Sequence, residues 1–371
     1  MFKKRPRGSL PYVPQEEPEE AKFAKEPCEG VATCVQEQRI EKPTSTPQKK
    51  GIIIAGPTGT GKTLLSLNLA AKIRGEIVSA DSMQVYRGMD IGTAKVLPKD
   101  KARIPHHLID IRNITEPFNV KDFCEEAKAA CEDIFLRGKV PIIVGGTGFY
   151  IHALLYGPPS GPPTDLSVRK ALQKEEEKYG IEFLYDKLRA FDPAYAETIT
   201  PTDKHKVIRA LEIIELSGKK VSDFSWKRRT RLPYCDWRSW FVFRPRNILY
   251  KLLESRCEEM LQQGLLEEVV ELDRAGIRSN LTASQAIGYR QTLDFLDSGR
   301  TKEDYEQYVK NLKMASRHLA KKQFTWFRKE QHFQWLDMSR HSLEEIADII
   351  IDDFEGKAPT ALLPEDMNPE L

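Results

Sequence analysis

The feature that most constrains the fold of this 371-residue chain is a glycine-rich loop between a short apolar run and a segment with helical spacing. The loop matches the pattern G-x-x-x-x-G-K-[ST] through Gly56, Pro57, Thr58, Gly59, Thr60, Gly61, Lys62 and Thr63. Glycines let consecutive backbone N–H groups face one anion, and the following helix adds the positive end of its dipole. Lys62 would add a full charge, and the hydroxyl of Thr63 suits the Mg²⁺ that phosphates carry. We therefore expect this loop to bind a diphosphate or a triphosphate.

Short apolar runs alternate with helical spacing on both sides of the loop. The runs predicted as strands are 51–55, 76–80, 107–111, 139–144 and 240–243. Between the third and fourth of them, the apolar spacing of residues 120–136 predicts a helix. Strands that alternate with helices predict a parallel sheet with helices on both faces. We therefore expect an α/β fold, with a P-loop NTPase-like parallel sheet core, a helical insertion domain and a helical C-terminal part.

Changes in composition divide the chain into five segments. Residues 1–50 contain seven prolines and both signs of charge without an apolar period, which predicts a disordered tail, and residues 355–371 have the same character. The core begins with residues 51–158. A cluster of prolines and glycines then introduces a helical insertion over residues 159–236. Residues 237–354 are expected to complete the core and to add basic C-terminal helices.

Composition also excludes several classes of protein. Lys and Arg number 57 against 55 Asp and Glu, so binding of nucleic acid would need a local basic patch. The chain has no apolar run of the length that spans a bilayer. Its six cysteines include no Cys-x-x-Cys pair and are too few for a disulfide scaffold. We expect a reduced, cytoplasmic protein with no membrane contact and no structural zinc site, and we expect a monomer.

Two polar residues follow predicted strands, at the edge of the sheet where α/β proteins bind their ligands. Asp81 comes directly after the run 76–80, and its carboxylate could hold Mg²⁺ or accept a proton from a nucleophile. Asp81 could equally cap the next helical turn. Thr147 follows the run 139–144 and is either a helix cap or a phosphate contact. That run ends in Gly-Gly-Thr without an acidic residue, which counts against a motor-type ATPase.

A basic stripe is predicted near the C-terminus. Lys310, Lys313, Arg317 and Lys321 recur at three- and four-residue spacing, which places them on one face of a helix. Such a stripe is either a solvated surface or a contact for RNA phosphates.

Several longer segments resemble tRNA dimethylallyltransferases, also called tRNA isopentenyltransferases or the IPP transferase family. They are GPTGTGKT at 56–63, DSMQVYRGMDIGTAK at 81–95, PHHLID at 105–110, GGTGFYIHALLYG at 145–157, DKHKVIRALEI at 203–213, SGK at 217–219, LYKLLESR at 249–256, AIGYRQ at 286–291 and RHLAKKQFTW at 317–326. The resemblance covers about residues 51–330 in order. Eukaryotic relatives often add a C-terminal Cys/His zinc finger, but the last cysteine here is Cys257, so the resemblance is to the bacterial type.

The resemblance implies transfer of a dimethylallyl group from dimethylallyl diphosphate to N6 of adenosine 37 in tRNA, with release of diphosphate and with Mg²⁺ as the cofactor. It implies that the loop at 56–63 binds the diphosphate, with Thr63 at the metal. Asp81 would take a proton from N6, and Thr147 and Arg256 would stabilise the charge that develops on the diphosphate.

The resemblance also implies that the helical insertion at 159–236 binds the tRNA anticodon stem-loop and that the adenosine is received flipped out of its stack. The tRNA-binding residues that it implies are Asp81, Ser82, Met83, Gln84, Thr147, Arg169, His205, Lys206, Val207, Ile208, Arg209, Ala286, Ile287, Gly288, Tyr289, Arg290, Arg317, Lys321 and Lys322. Two positions depart from the family pattern, because Lys206 and Leu252 stand where the family has, or often has, arginine. Either change is expected to weaken one RNA contact without removing catalysis.

Two other functions remain open at this point. A small-molecule kinase would share the glycine-rich loop and would use Arg244, Arg246 and Arg256 as a phosphate clamp. A nucleotide-dependent RNA-binding module would bind RNA without needing Asp81 as a base. Neither alternative explains the segment 81–95.

Overall fold

The computed structural model describes residues 49–224 and 234–357. The expected disordered tails, 1–50 and 355–371, therefore lie almost entirely outside the described residues. Lys50 is nevertheless the first residue of a strand, and Glu355 is the last residue of a helix. Each expected tail thus overlaps a regular element by one residue.

A parallel sheet forms the centre of the described part of the chain. Its strands are β1 (Lys50–Ala55), β2 (Gly75–Ser79), β3 (His106–His107), β4 (Val140–Gly145), β5 (Asp236–Phe243) and β6 (Gln334–Asp337). The strands lie in the order β3-β2-β4-β1-β5-β6, and every neighbouring pair is parallel. The expected α/β fold with a parallel sheet core is confirmed.

The described residues form thirteen α-helices. They are α1 (Lys62–Ile73), α2 (Pro98–Arg103), α3 (Val120–Leu136), α4 (Gly148–Tyr156), α5 (Leu166–Tyr179), α6 (Ile181–Phe191), α7 (Pro193–Ala196), α8 (Lys204–Ser217), α9 (Arg246–Gln262), α10 (Leu265–Arg274), α11 (Tyr289–Leu296), α12 (Lys302–Phe327) and α13 (Leu343–Glu355). None of these helices combines the length and the apolar character that crossing a bilayer requires.

The sheet is buried on both faces. Side chains alternate along a strand, and on β1 the fully buried Ile52 and Ile54 join one hydrophobic cluster, whereas Ile53 and Ala55 join the other. Helices α1 and α13 complete the first cluster, and α3, α4, α9 and α12 contribute to the second. Such burial on both faces explains why the strands are continuous apolar runs.

Helices α5 to α8 lie between α4 and β5, within the segment predicted as an insertion. Their buried residues form a third hydrophobic cluster, which consists of Leu172, Leu184, Leu188, Ala196, Val207, Ile208, Ala210 and Leu211. The buried carboxylate of Asp192 ties this cluster together, because it accepts hydrogen bonds from the backbone N–H groups of Tyr195 at 3.1 Å and Ser222 at 2.8 Å. The insertion therefore has a hydrophobic core of its own.

Three strands differ from the sequence prediction by more than one residue. Strand β5 begins at Asp236, four residues before the predicted run 240–243. The run 107–111 is predicted as a strand, but only His106–His107 pairs with β2. Leu108 and Asp110 have φ angles of 62° and 60°, in the left-handed region, which ends the extended backbone there. Strand β6 is absent from the prediction, because it has four residues and is defined by its pairing with β5.

Candidate active site

A cavity of about 390 Å³ lies where the carboxyl ends of β1, β2 and β4 adjoin. Its lining includes Asp81, which follows β2, and Arg256, which is carried by α9. The glycine-rich loop contributes Thr58, Gly59, Gly61, Lys62 and Thr63 to the lining, and its remaining three residues lie outside it. The fold thus brings together groups that are widely separated in the sequence.

The glycine-rich loop is held in shape by its own side chains. Lys62 Nζ donates a hydrogen bond to the carbonyl of Pro57 at 2.7 Å, and Thr60 Oγ1 donates to the same carbonyl at 2.9 Å. Gly61 has a φ angle of 102°, in the left-handed region that favours glycine. Helix α1 begins at the next residue, so its positive N-terminal end adjoins the cavity. This arrangement suits the binding of a polyphosphate.

Charges of both signs share the cavity. Burial, together with the charge of Arg256, lowers the pKa of Lys62 to about 7, and the charge of Asp81 opposes this shift. Burial also lowers the pKa of Arg256, again against the influence of Asp81. A bound anion would favour the charged form of both cations, because opposite charge counteracts desolvation.

Asp81 caps the turn that follows it and also lines the cavity. Its Oδ1 accepts a hydrogen bond from the backbone N–H of Met83 at 2.9 Å, which is a local capping interaction. The same side chain lines the cavity beside Lys62 and Arg256. The cap fixes the orientation of the carboxylate and does not remove it from the site.

Thr147 stands at the start of α4, but its side chain does not cap that helix. Its Oγ1 accepts a hydrogen bond from the backbone N–H of Ser82 at 3.1 Å, and its own N–H donates to the carbonyl of Ala80 at 3.3 Å. Thr147 therefore holds the segment that carries Asp81. Gly145 and Gly146 line the cavity, so Thr147 lies one residue beyond the lining.

Of the nineteen residues expected to bind tRNA, thirteen occupy three kinds of position, while Ser82 is partly buried and Gly288 is buried. Those that line the cavity are Asp81, Met83, Gln84, Ala286 and Ile287. Exposed residues at the surface are His205, Lys206, Arg290, Lys321 and Lys322. Val207, Ile208 and Tyr289 are instead buried in hydrophobic clusters. The side chains of these three support the fold around the site, and the prediction that these residues bind tRNA stays a prediction.

Tyr289 has an identifiable partner on α10. Its hydroxyl donates a hydrogen bond to Glu268 Oε1 at 2.6 Å. Glu268 Oε2 also accepts from the backbone N–H groups of Asp90 at 3.0 Å and Ile91 at 2.7 Å. The following residues, 92–94, line the cavity, so Glu268 and Tyr289 hold this part of its wall.

In the insertion, two expected tRNA contacts share one buried carboxylate. Glu212 is fully buried and lies 3.1 Å from Arg169 and 2.9 Å from Arg209. Both arginine side chains remain about one-third exposed, at 32% and 31%. Glu212 therefore holds the two guanidinium groups side by side while leaving part of each accessible.

The basic stripe on α12 is partly neutralised by α9. Lys313 pairs with Glu258 at 2.6 Å, and Arg317 pairs with Glu254 at 2.7 Å. Lys310 and Lys321 are exposed at the two ends of the stripe. The ends of the stripe are therefore better placed than its centre to meet an RNA phosphate.

The arginine clamp of a small-molecule kinase does not assemble here. Arg256 lines the cavity, but Arg244 Nε donates a hydrogen bond to the carbonyl of Thr60 at 3.3 Å. The guanidinium of Arg246 stacks on the ring of Tyr250, 5.0 Å from its centroid. These contacts weaken the kinase alternative.

A divalent cation at this site would take most of its ligands from a bound phosphate substrate and from water, and few from the protein. Within residues 49–224 and 234–357, no three His, Cys, Asp or Glu side chains converge into a metal cage. Thr63 is exposed and lines the cavity. This donor set fits Mg²⁺, which commonly keeps phosphate oxygens and water as its main ligands.

Three residues that hold the site together escape prediction from the sequence: Glu212, Glu268 and Gln323. The amide of Gln323 contacts the glycine-rich loop and the loop after β4. Its position offers a weak signal, because it lies seven residues after Ser316 on the buried side of α12. Glu212 and Gln323 fall inside two of the segments that resemble the family, 203–213 and 317–326, but the resemblance singles out neither of them. Glu268 lies in none of those segments, and an isolated acidic residue on a helix is usually exposed.

Residues 84–330 match a family model described as IPP transferase. The chain belongs to the IPP transferase family. The resemblance seen in the sequence is thereby confirmed, and membership makes the protein an enzyme, a prenyltransferase that modifies tRNA.

Individual members of the IPP transferase family agree with this assignment. A tRNA dimethylallyltransferase of Protochlamydia amoebophila (strain UWE25) is 55% identical over 308 residues, which cover 83% of this chain and 90% of the relative. A solved tRNA isopentenylpyrophosphate transferase of Bacillus halodurans is 38% identical, with a TM-score of 0.61, over 83% of this chain and 98% of that one. A eukaryotic dimethylallyltransferase acting on tRNA gives a TM-score of 0.68 at 28% identity, over 84% of this chain and 81% of that one.

Proposed function

We propose that this IPP transferase family member moves a dimethylallyl group from dimethylallyl diphosphate to N6 of adenosine 37 in tRNA. One observation carries the proposal, namely that Lys62, Asp81 and Arg256 share a single cavity. Two cations suit a diphosphate leaving group, and a carboxylate beside them suits an amine that must lose a proton. Apolar side chains of α9 and α12 offer a wall for the five-carbon chain: Leu253, Met260, Leu312 and Leu319.

The diphosphate would be held by the glycine-rich loop. The loop's N–H groups, the N-terminus of α1 and the ammonium of Lys62 would together face its oxygens. The hydroxyl of Thr63 would be a ligand of Mg²⁺ alongside those oxygens. When bound, the ion would neutralise part of the charge on the leaving group.

The transfer needs help from a base, because the lone pair on N6 is delocalised into the purine ring. As the bond from N6 to C1 of the dimethylallyl group forms, the bond from C1 to the diphosphate oxygen breaks, and the N6 proton passes to Asp81. Lys62 and Arg256 would stabilise the charge left on the diphosphate. Thr147 would contribute through the N–H of Ser82, which keeps the segment of Asp81 in place.

The anticodon stem-loop would be bound by residues at the surface of the insertion and at the end of α12. His205, Lys206, Lys321 and Lys322 are exposed there, and Arg169 and Arg209 are partly exposed. Adenosine 37 would leave its stack and enter the cavity beside Met83 and Gln84. We further propose that the protein acts as a monomer in the cytoplasm, where tRNA is available.

A mass analysis of nucleosides tests this function. Unmodified tRNA incubated with the protein, Mg²⁺ and dimethylallyl diphosphate is expected to yield dimethylallyladenosine. A matched tRNA with guanosine at position 37 is expected to yield none, and equal product from it would contradict the assigned base. A phosphorylated small molecule formed from ATP, with tRNA left unmodified, would favour the kinase alternative.

Removing the proposed base should abolish turnover. Asp81→Asn is expected to lower kcat roughly 10²- to 10⁴-fold, the usual contribution of a general base, while tRNA affinity stays unchanged. The matched control is Asp90→Asn, since the Asp90 side chain is 62% exposed and pairs with Lys95. An equal loss of activity in both variants, or loss of tRNA binding by Asp81→Asn, would contradict the role of Asp81.

A further inference from the structure

Gln323 lies where two loops of the active site meet, and the transfer chemistry gives it no role. It is carried by α12 and lines the cavity. Its Oε1 accepts a hydrogen bond from the backbone N–H of Thr58 at 3.0 Å, and its Nε2 donates to the carbonyl of Gly146 at 3.0 Å. One side-chain amide therefore joins the glycine-rich loop that follows β1 to the loop that follows β4.

In the loop after β4, the two glycines that flank Thr147 are closely approached by side chains of α12. A methyl group on Gly146 would lie 2.2 Å from Nε2 of Gln323, and one on Gly148 would lie 2.2 Å from Cδ1 of Trp326. Gly146 does not have a left-handed φ angle, so close approach is what requires glycine there. Two side chains of α12 thus confine the residues that flank Thr147.

We propose that Gln323 is a positioning residue that fixes the diphosphate-binding loop relative to the loop of Thr147. The inference rests on the proposed function, in which the first loop holds the leaving group and Thr147 holds the segment of Asp81. An amide meets both contacts because it accepts from an N–H and donates to a carbonyl at once. A carboxylate offers acceptors only, and a thioether offers little to either partner.

The two contacts have separate kinetic consequences. Loss of the bond to Thr58 loosens the diphosphate-binding loop, which raises the KM for dimethylallyl diphosphate and the inhibition constant of inorganic diphosphate. Loss of the bond to Gly146 frees the neighbour of Thr147, which lowers kcat. The KM for tRNA stays unchanged, because neither loop bears the exposed residues assigned to the anticodon stem-loop.

The test compares Gln323→Met with Gln307→Met. Gln307 lies on the same helix, is exposed and bonds to Asn311. With transfer by the wild-type protein established, Gln323→Met is expected to raise both diphosphate constants and to lower kcat, each by about tenfold, as the loss of one hydrogen bond predicts. Gln307→Met should match the wild type. Wild-type constants for Gln323→Met would overturn the inference, whereas absence of transfer by the wild type would contradict the proposed function instead.

A second perturbation keeps the test decisive if methionine at 323 disturbs folding. The methyl group of Gly146→Ala would displace the amide of Gln323, and Gln323→Ala would remove that amide. If both act through the same bridge, the double variant should be no slower than the slower single variant. Losses that multiply in the double variant would overturn the inference.

Discussion

The loops of the active site and the helical insertion hold their functional residues in different ways. In the loops, Asp81 and Thr147 are fixed by hydrogen bonds to backbone groups within residues 80–83. In the insertion, Arg169 and Arg209 are held by the buried side chain of Glu212, which is itself set by packing. A short motif therefore specifies the local cap of Asp81, whereas Thr147 reaches that segment from 65 residues away in the sequence, and a helical motif specifies only which face a residue shares.

The largest effect is expected from removing a positive charge at the diphosphate site, which should leave the insertion unaffected. Lys62→Met removes a cation from the diphosphate site and is expected to lower kcat/KM for dimethylallyl diphosphate roughly 10²- to 10³-fold, as loss of a charge-stabilising donor does. The affinity for tRNA should not change, because the insertion is untouched. Steady-state kinetics with each substrate varied in turn, together with direct tRNA binding, measure both. Weakened tRNA binding with an unchanged KM for the donor would place the diphosphate elsewhere.

The pH dependence of kcat/KM for the donor is a second test of the role of Lys62. Since the pKa of Lys62 is lowered to about 7, the free enzyme loses this positive charge as the pH rises through that value. We expect kcat/KM for the donor to fall above neutral pH, while kcat holds to higher pH because bound diphosphate raises the pKa of Lys62. Lys62→Arg stays charged and should remove the decline. A decline that persists in this variant would belong to another group.

Two variants test the insertion, where Ile208 is proposed to stabilise the fold and the nearby Lys206 to bind tRNA. Ile208→Ala opens the hydrophobic cluster of α5 to α8 and is expected to cost about 2–5 kcal/mol of stability, the range for such core truncations. Lys206→Ala, at an exposed position, should leave the Tm unchanged and weaken tRNA binding. Thermal unfolding and tRNA binding of both variants give the comparison. If Ile208→Ala had a normal Tm and bound tRNA weakly, the result would contradict this role and would indicate that Ile208 contacts tRNA directly.

Most of the fold could be predicted from the sequence, because buried strands and motif loops leave local signals. The helix at 120–136 has the predicted bounds, and the run 51–55 lies within β1. The short strands β3 and β6 could not be bounded, since pairing with a neighbour defines them. The cavity residues Lys62 and Asp81 were accessible through motifs whose geometry is set within a few residues.

The supporting residues were not accessible in that way. Gln323 and Glu268 act on backbone groups 265 and 178 residues away in the sequence. Only the packing of α10 and α12 on the core brings them there, and no local pattern encodes such an approach. The same limit explains Val207 and Ile208, which resemble a family contact segment but face the core of the insertion.

The smallest effect is expected on α12, which carries both a residue of the active site, Gln323, and proposed tRNA contacts. Lys321 is exposed near the end of the helix, whereas Lys313 pairs with Glu258. If Lys321 meets an RNA phosphate, Lys321→Ala should weaken tRNA binding and lower the slope of log affinity against log salt by about one. Lys313→Ala is the matched control on the same helix and should change the slope less, because its charge is already compensated. Equal slopes in the two variants would show that the basic residues of α12 attract RNA through their combined charge and make no specific phosphate contact. Lys321 would then not belong to the tRNA interface.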